Sequence, residues 1–237
     1  MSTFVLVPGM WLGGWAWDDV ASRLRAAGHD VRPVTLTGVG DRVDEDGPDA
    51  DLERHTQDVI EAAGDADDVI LVGHSYGGLP VTMAADRIPE RVTRVVYVDS
   101  GPLADGTRQI DMSDPEEQSA MAIGQPVPSR PWEPADDPVL LAGLDEKALE
   151  RLRTRATTHP YASVVAPLTR TGGKAVPMSR VACILPVDQV QAMVAQGHPM
   201  FARLGVADQY GLPTGHWPML SEPERLAGLL DEIARSS

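Results

Sequence analysis

The sequence predicts an α/β fold built on a doubly wound, mostly parallel sheet, and three observations carry that prediction. Short apolar runs that read as strands alternate with segments whose apolar residues recur at helical spacing. The central runs are apolar without alternation, as expected of strands covered by helices on both faces. The connections are long enough to hold helices of ten or more residues, which implies parallel crossovers.

The elements follow in chain order. "TFVLV" at 3–7 is a buried strand closed by Pro8-Gly9. Trp17, Val20, Ala21, Leu24 and Ala27 then mark a helix that Gly28 ends as a C-terminal cap. "HDVRPVTL" is a second strand, residues 51–63 a helix carrying Leu52, Val59 and Ile60, and "DDVILV" a third strand. A helix from about Tyr76 to Ile88 precedes the fourth strand, "RVTRVVYVD". Pro80 falls in the second turn of that helix as predicted, where it should remove a hydrogen bond or kink the axis.

Residues 100–178 break the alternation; they are rich in Pro, Asp and Met and predict a helix at 145–157. A segment this long is not expected to be structureless inside a compact domain, so it reads as a small helical cap. The alternation resumes with "SRVACIL", a helix near 189–196 and a short strand at "DQYGL". In the last helix, "SEPERLAGLLDEIA", Ser221 and Glu224 read as a capping box, and Leu226, Leu229, Leu230 and Ile233 form one apolar stripe. Residues 1–237 therefore read as a single domain interrupted by the cap.

Composition excludes several classes of function. A formal net charge of −15, from 35 acidic and 20 basic residues, opposes binding to nucleic acid or anionic lipid. The acid-rich stretch 41–68 reads as a solvated surface. With a single cysteine, Cys183, neither an intrachain disulfide nor a cysteine zinc site can form; it reads as a small apolar residue in a strand. The N-terminus lacks a basic leader pattern and no apolar run approaches the ~18 residues of a membrane span, so a cytoplasmic protein is expected. The expected partner is a small molecule, with no cofactor, no metal, no nucleic acid and no membrane, and with room for a homodimer.

"VILVGHSYGG" carries the chemistry. Ligands of open α/β sheets bind at the carboxyl ends of the strands, and Ser75 follows a buried strand directly and starts a helix. So sharp a turn puts the serine in a strained backbone conformation and leaves no room for side chains at Gly73 and Gly77. Its hydroxyl would then stand exposed beside a helix N-terminus that favours a developing oxyanion. This is the G-x-S-x-G nucleophile elbow in its strand-turn-helix setting.

A serine hydroxyl needs a base. Of the six histidines, His216 in "PTGHWPML" lies in the loop between the last strand and the last helix, back at the same sheet edge. His74 inside the elbow reads as a packing or hydrogen-bonding residue, and His29, His55, His159 and His198 as exposed or structural. Two carboxylates fit the chain order Ser…Asp…His: Asp188, otherwise an N-cap for a helix starting at Gln189, and Asp99 at the end of the fourth strand, otherwise an Asx turn. The backbone amides of Met10 and Tyr76 occupy the expected oxyanion-hole positions. Trp11, Trp132 and Trp217 are candidate substrate-binding residues, and Met112, Met121 and Tyr161 of the cap are candidates to line the pocket.

On "LVPGMWLGGWAWDDV", "LVGHSYGG" and "TGHWPMLSEPERLA", the chain resembles the α/β-hydrolase superfamily, in particular the branch of plant methylesterases, hydroxynitrile lyases and small bacterial esterases. The resemblance spans nearly the whole chain. It implies cofactor-free acyl transfer in which Ser75 attacks a carbonyl and His216 shuttles the proton, and it places Asp188 in the register of the acid. Pro8-Gly9 stands where the family usually has His-Gly. Trp217 stands where the lyases carry lysine, which argues against lyase activity, and Ser75 at the elbow excludes the aspartate-dependent dehalogenases and epoxide hydrolases. The expected activity is that of a serine hydrolase, carboxylesterase-like, cleaving a small, mostly apolar ester, thioester or lactone. The alternatives are a non-hydrolytic tailoring enzyme on the same triad or a ligand-binding protein of the same fold with slow turnover.

Overall fold

The computed structural model describes residues 1–113, 118, 121–197 and 207–236; His198 lies outside them. Among the described residues six parallel strands form one sheet in the order β2-β1-β3-β4-β5-β6. They are β1 (Thr3–Val7), β2 (Asp30–Pro33), β3 (Val69–His74), β4 (Val92–Val98), β5 (Met178–Ala182) and β6 (Asp208–Gly211). The chain runs outward from β1 to β2, then crosses back to put β3 on the other side of β1. That reversal opens a crevice at the carboxyl ends of β1 and β3, where open α/β sheets bind ligands.

The period-2 geometry of the strands distributes the core over both faces. Phe4 and Leu6 of β1, Ile70 and Val72 of β3, and Val96 and Val98 of β4 pack on one side with α1 (Asp18–Ala26) and the C-terminal helix. Val5 and Val7, Val69 and Leu71, and Val95 and Tyr97 pack on the other with α2 (Leu52–Ala63) and α3 (Gly78–Arg87). Burial on both faces explains why these strands read as continuous apolar runs. Gly28, with φ of +93°, ends α1 as expected of a left-handed cap.

Two local expectations are corrected. Pro80 costs no hydrogen bond, because a 3-10 turn at Ser75–Gly77 delays the start of α3 to Gly78 and leaves Pro80 in the first turn, where the backbone N–H has no intrahelical acceptor. The capping box at Ser221 and Glu224 does not form. A short helix, Pro218–Ser221, ends there, and the last helix, Pro223–Arg235, starts on its own proline. Ser221 Oγ instead meets Thr214 Oγ1 at 2.9 Å.

Among the described residues between β4 and β5 are a 3-10 turn (Gln109–Met112) and the helices α4 (Glu146–Arg155) and α5 (Tyr161–Val165). α6 (Val187–Ala195) follows β5, and the two C-terminal helices are α7 (Pro218–Ser221) and α8 (Pro223–Arg235). No helix is long and apolar enough to cross a membrane among the described residues.

Candidate active site

Ser75 sits immediately after β3 with φ of +51°, the strained turn expected of it. Close approach of the backbone explains both flanking glycines. A Cβ on Gly73 would lie 2.6 Å from the Gly77 carbonyl oxygen, and one on Gly77 would lie 2.7 Å from the carbonyl oxygens of Val7 and Pro8. Any side chain there would push the elbow away from the β1 loop.

The structure brings His216 to the serine: Nε2 lies 2.9 Å from Ser75 Oγ. On the other side of the ring, Nδ1 lies 2.6 Å from Asp99 Oδ2. These partners assign the tautomer: Nδ1–H donates to the carboxylate, leaving Nε2 to accept from the hydroxyl. The second oxygen of Asp99, Oδ1, accepts from the Cys183 and Ile184 amides, each at 3.2 Å. Burial works to raise the Asp99 carboxyl, but the His216 hydrogen bond, electrostatic attraction to His216 and His74, and the Ile184 amide outweigh it and hold the group below its ordinary value. Asp99 is itself left-handed, with φ of +44°.

The preference for Asp188 is therefore corrected. Asp188 is an exposed residue in the first turn of α6, which begins at Val187 rather than at Gln189, and the carboxylate on His216 is that of Asp99. The physical reason is sheet adjacency: β4 is the hydrogen-bonded neighbour of β3, so a residue ending β4 emerges beside the elbow.

His74 is a buried bridge. Gly9 N–H donates to its Nδ1 at 3.2 Å, and its Nε2–H donates to the His216 carbonyl at 2.6 Å. One ring thus ties the loop after β1 to the loop that carries the base. Burial pushes its pKa down to about 3, so it stays neutral. A second buried set lies behind Tyr76. The Tyr76 hydroxyl donates to His55 Nδ1 at 2.7 Å, and His55 Nε2–H donates to the Thr37 carbonyl at 2.8 Å. His159, from the cap, accepts from the Trp11 amide at 3.3 Å. Trp11 has φ of +68°, so the cap helps hold a strained residue beside the expected oxyanion loop.

Tyr76 is the second residue of the 3-10 turn Ser75–Gly77, where the first N–H groups lack intrahelical acceptors, and Met10 lines the cleft with Ser75 and His216. A Cβ on neighbouring Gly9 would lie 3.0 Å from Ser75 Cβ, which shows how tightly the β1 loop packs on the elbow.

Two cavities of about 350 and 370 Å³ share Ser75 and His216 in their walls. Trp11, Trp217, Met112 and Met121 line the second. Trp132 does not line either one. It is 2 % exposed and stacks edge-on between Trp11 and Trp217, with ring centroids 5.9 and 5.1 Å away, so it supports the wall from behind. Tyr161 faces a separate surface hollow with Asp46 and Pro48. Cys183 is buried and its thiol pushed up by that burial, which leaves it an inert packing residue whose amide holds Asp99. Among the described residues no cluster of His, Cys, Asp and Glu is arranged to hold a metal ion.

The family model described as the alpha/beta hydrolase family matches residues 4–229. The chain belongs to that family. This α/β-hydrolase is 50% identical over 102 residues to a carbendazim hydrolyzing esterase of Nocardioides sp. (strain SG-4G), an alignment that spans 42% of each protein. It is 28% identical over 255 residues to Methylesterase 7 of Arabidopsis thaliana, covering 98% of this chain and 95% of that one. The chain thus spans less than half of the first of these relatives. Among solved structures, an extracellular alpha/beta-hydrolase from a Paenibacillus species superimposes with a TM-score of 0.78 at 23% identity, covering 98% of both chains. The methylesterase MES16 of Arabidopsis does so with a TM-score of 0.76 at 18% identity over the full length of both. At these identities the structural matches establish the shared fold.

Proposed function

We propose that this α/β-hydrolase is a serine esterase that works through an acyl-enzyme on a small, mostly apolar ester, thioester or lactone. The observation that carries the reading is the unbroken line Ser75 Oγ–His216–Asp99, with both links at hydrogen-bond length, at a cleft on the carboxyl edge of the sheet. Relatives named as esterases support the same reading.

In this mechanism Ser75 Oγ attacks the ester carbonyl carbon while His216 Nε2 takes the hydroxyl proton. The carbonyl oxygen becomes an oxyanion facing the amides of Met10 and Tyr76. Collapse of the tetrahedral species breaks the bond to the alkoxy oxygen, which leaves with the proton from His216. Water then attacks the acyl carbon, gives its proton to Nε2, and the second collapse returns that proton to Ser75 and frees the acid. Asp99 keeps Nδ1–H pointed away from the serine and stabilises the imidazolium formed at each attack.

The test is turnover of short p-nitrophenyl esters together with fluorophosphonate labelling. The protein is expected to do both and Ser75→Ala neither. Rapid labelling of Ser75 with no turnover of any ester would favour a ligand-binding role instead.

A further inference from the structure

Arg180 is a charge that the proposed acyl transfer does not use. It stands on β5 in register with Tyr97, is 4 % exposed, and lines the first cavity together with Ser75 and His216. A guanidinium presents five N–H donors and stays charged in proteins. Here only Nε has an acceptor among the described residues, the Ser100 carbonyl at 3.2 Å, and Nη1 is buried with none. A charge taken out of water is costly unless it finds a partner, and Nη1 has none among the described residues.

Asp99 is the carboxylate whose charge acts on Arg180, and its oxygens are already engaged. Oδ2 is held by His216, and Oδ1 by two backbone amides. Burial lowers the basicity of Arg180 and the charge of Asp99 raises it, yet the two form no ion pair. Arg180 is also tied to the reaction centre. The carbonyl of Ser100 accepts from Arg180, and the hydroxyl of Ser100 donates to the Ser75 carbonyl at 2.8 Å. The free donors therefore sit two hydrogen bonds from the elbow. The rest of this lobe is apolar, with Pro102, Leu103, Met112, Ile184 and Leu185. The other lobe, with Trp11, Trp217 and Met121, is lined by aromatic and thioether groups.

Resting on the esterase reading above, we infer that Arg180 recognises a carboxylate of the substrate: the natural ester carries a second, ionised carboxyl on the arm that enters the Pro102–Leu185 lobe. A carboxylate would accept a charge-assisted N–H bond from Nη2, the guanidinium nitrogen that is neither enclosed nor engaged by Ser100. The apolar lining would then grip the connecting methylenes, and the acyl carbon would lie at Ser75.

Matched half-esters and diesters test this. Monoethyl succinate, glutarate and adipate are each compared with the neutral diethyl ester of the same acid, by pH-stat turnover and by calorimetric binding to the Ser75→Ala protein. At one chain length the half-ester should be favoured at least ~10-fold in kcat/KM and in binding, as charge-assisted hydrogen bonds allow. Arg180→Met, which keeps the length of the stem without the charge, should erase that preference, and Arg180→Lys should keep part of it. Removing an unpaired buried charge should leave the melting temperature of Arg180→Met no lower than that of the parent. No preference at any chain length, or a preference that survives Arg180→Met, would overturn the assignment. A melting temperature that falls with the preference absent in the parent would make Arg180 structural. Arg180-dependent binding without turnover would uphold the carboxylate site and sink only the esterase reading.

Discussion

Four histidines crowd the Ser75–Tyr76 turn, and they divide into two kinds. His216 is bonded to a carboxylate, its side chain is 19% exposed, and its Nε2 meets a hydroxyl at the cleft. His55, His74 and His159 are wholly buried, and their ring nitrogens face backbone groups or neutral hydroxyls. The difference lies in whether a ring can carry charge. An imidazole that exchanges a proton needs an anion to stabilise the charged form and an open edge to reach the substrate. One enclosed among neutral partners is held neutral, and it works as a rigid strut of fixed tautomer. A carboxylate partner alone does not mark the first kind: His29 pairs with Asp231 at 3.0 Å, far along the chain, with no hydroxyl on its other nitrogen.

Substitutions at the two kinds should sharpen the contrast. His216→Ala is expected to lower kcat by ~10⁵, because it removes the proton acceptor itself. His74→Ala leaves the Gly9 amide and the His216 carbonyl without their partners. It should lower kcat by a smaller factor, ~10 to 10², from loosened geometry. The shape of its pH–rate profile should match that of the parent, since a neutral strut takes no part in the titration. A profile displaced by His74→Ala would erase the distinction.

The struts should show themselves in stability instead. Burial pushes His55 down to about 4 and His74 to about 3, from an ordinary value of 6.5. Between those values the unfolded chain binds more protons than the folded one. Their contribution is therefore complete above pH ~6.5 and is lost as pH falls, by up to ~1.4 kcal/mol per pH unit for each ring. Urea midpoints recorded from pH 7 to pH 4.5 should decline accordingly, and His55→Gln should flatten the decline. Midpoints that hold level over that range would contradict the enclosure of these rings.

Much of this was legible in the chain. "TFVLV" and "DDVILV" announce buried strands because nothing polar interrupts them, and Gly73 and Gly77 announce a turn too tight for side chains. His216 was legible from its place in a loop at the right sheet edge. The acid was not. Asp99 and Asp188 both follow a strand and precede His216, and chain order carries no information about which strand end neighbours β3. Sheet order decides it, and sheet order arises from long-range packing. Trp132 misled for a related reason: a tryptophan in the cap can line a pocket or back its wall, and only the packing of Trp11 and Trp217 around it distinguishes these. Arg180 stands inside "SRVACIL", where an arginine in an otherwise apolar strand signals a buried charge in need of a partner.

The most direct measurement of the central claim is kcat for Asp99→Asn and Asp188→Asn on one p-nitrophenyl ester. With Asp99 holding the imidazole, its amide variant should fall by ~10⁴ while Asp188→Asn stays within about threefold of the parent, as exposed substitutions away from a site do. A near-normal Asp99→Asn beside an inactive Asp188→Asn would contradict the account.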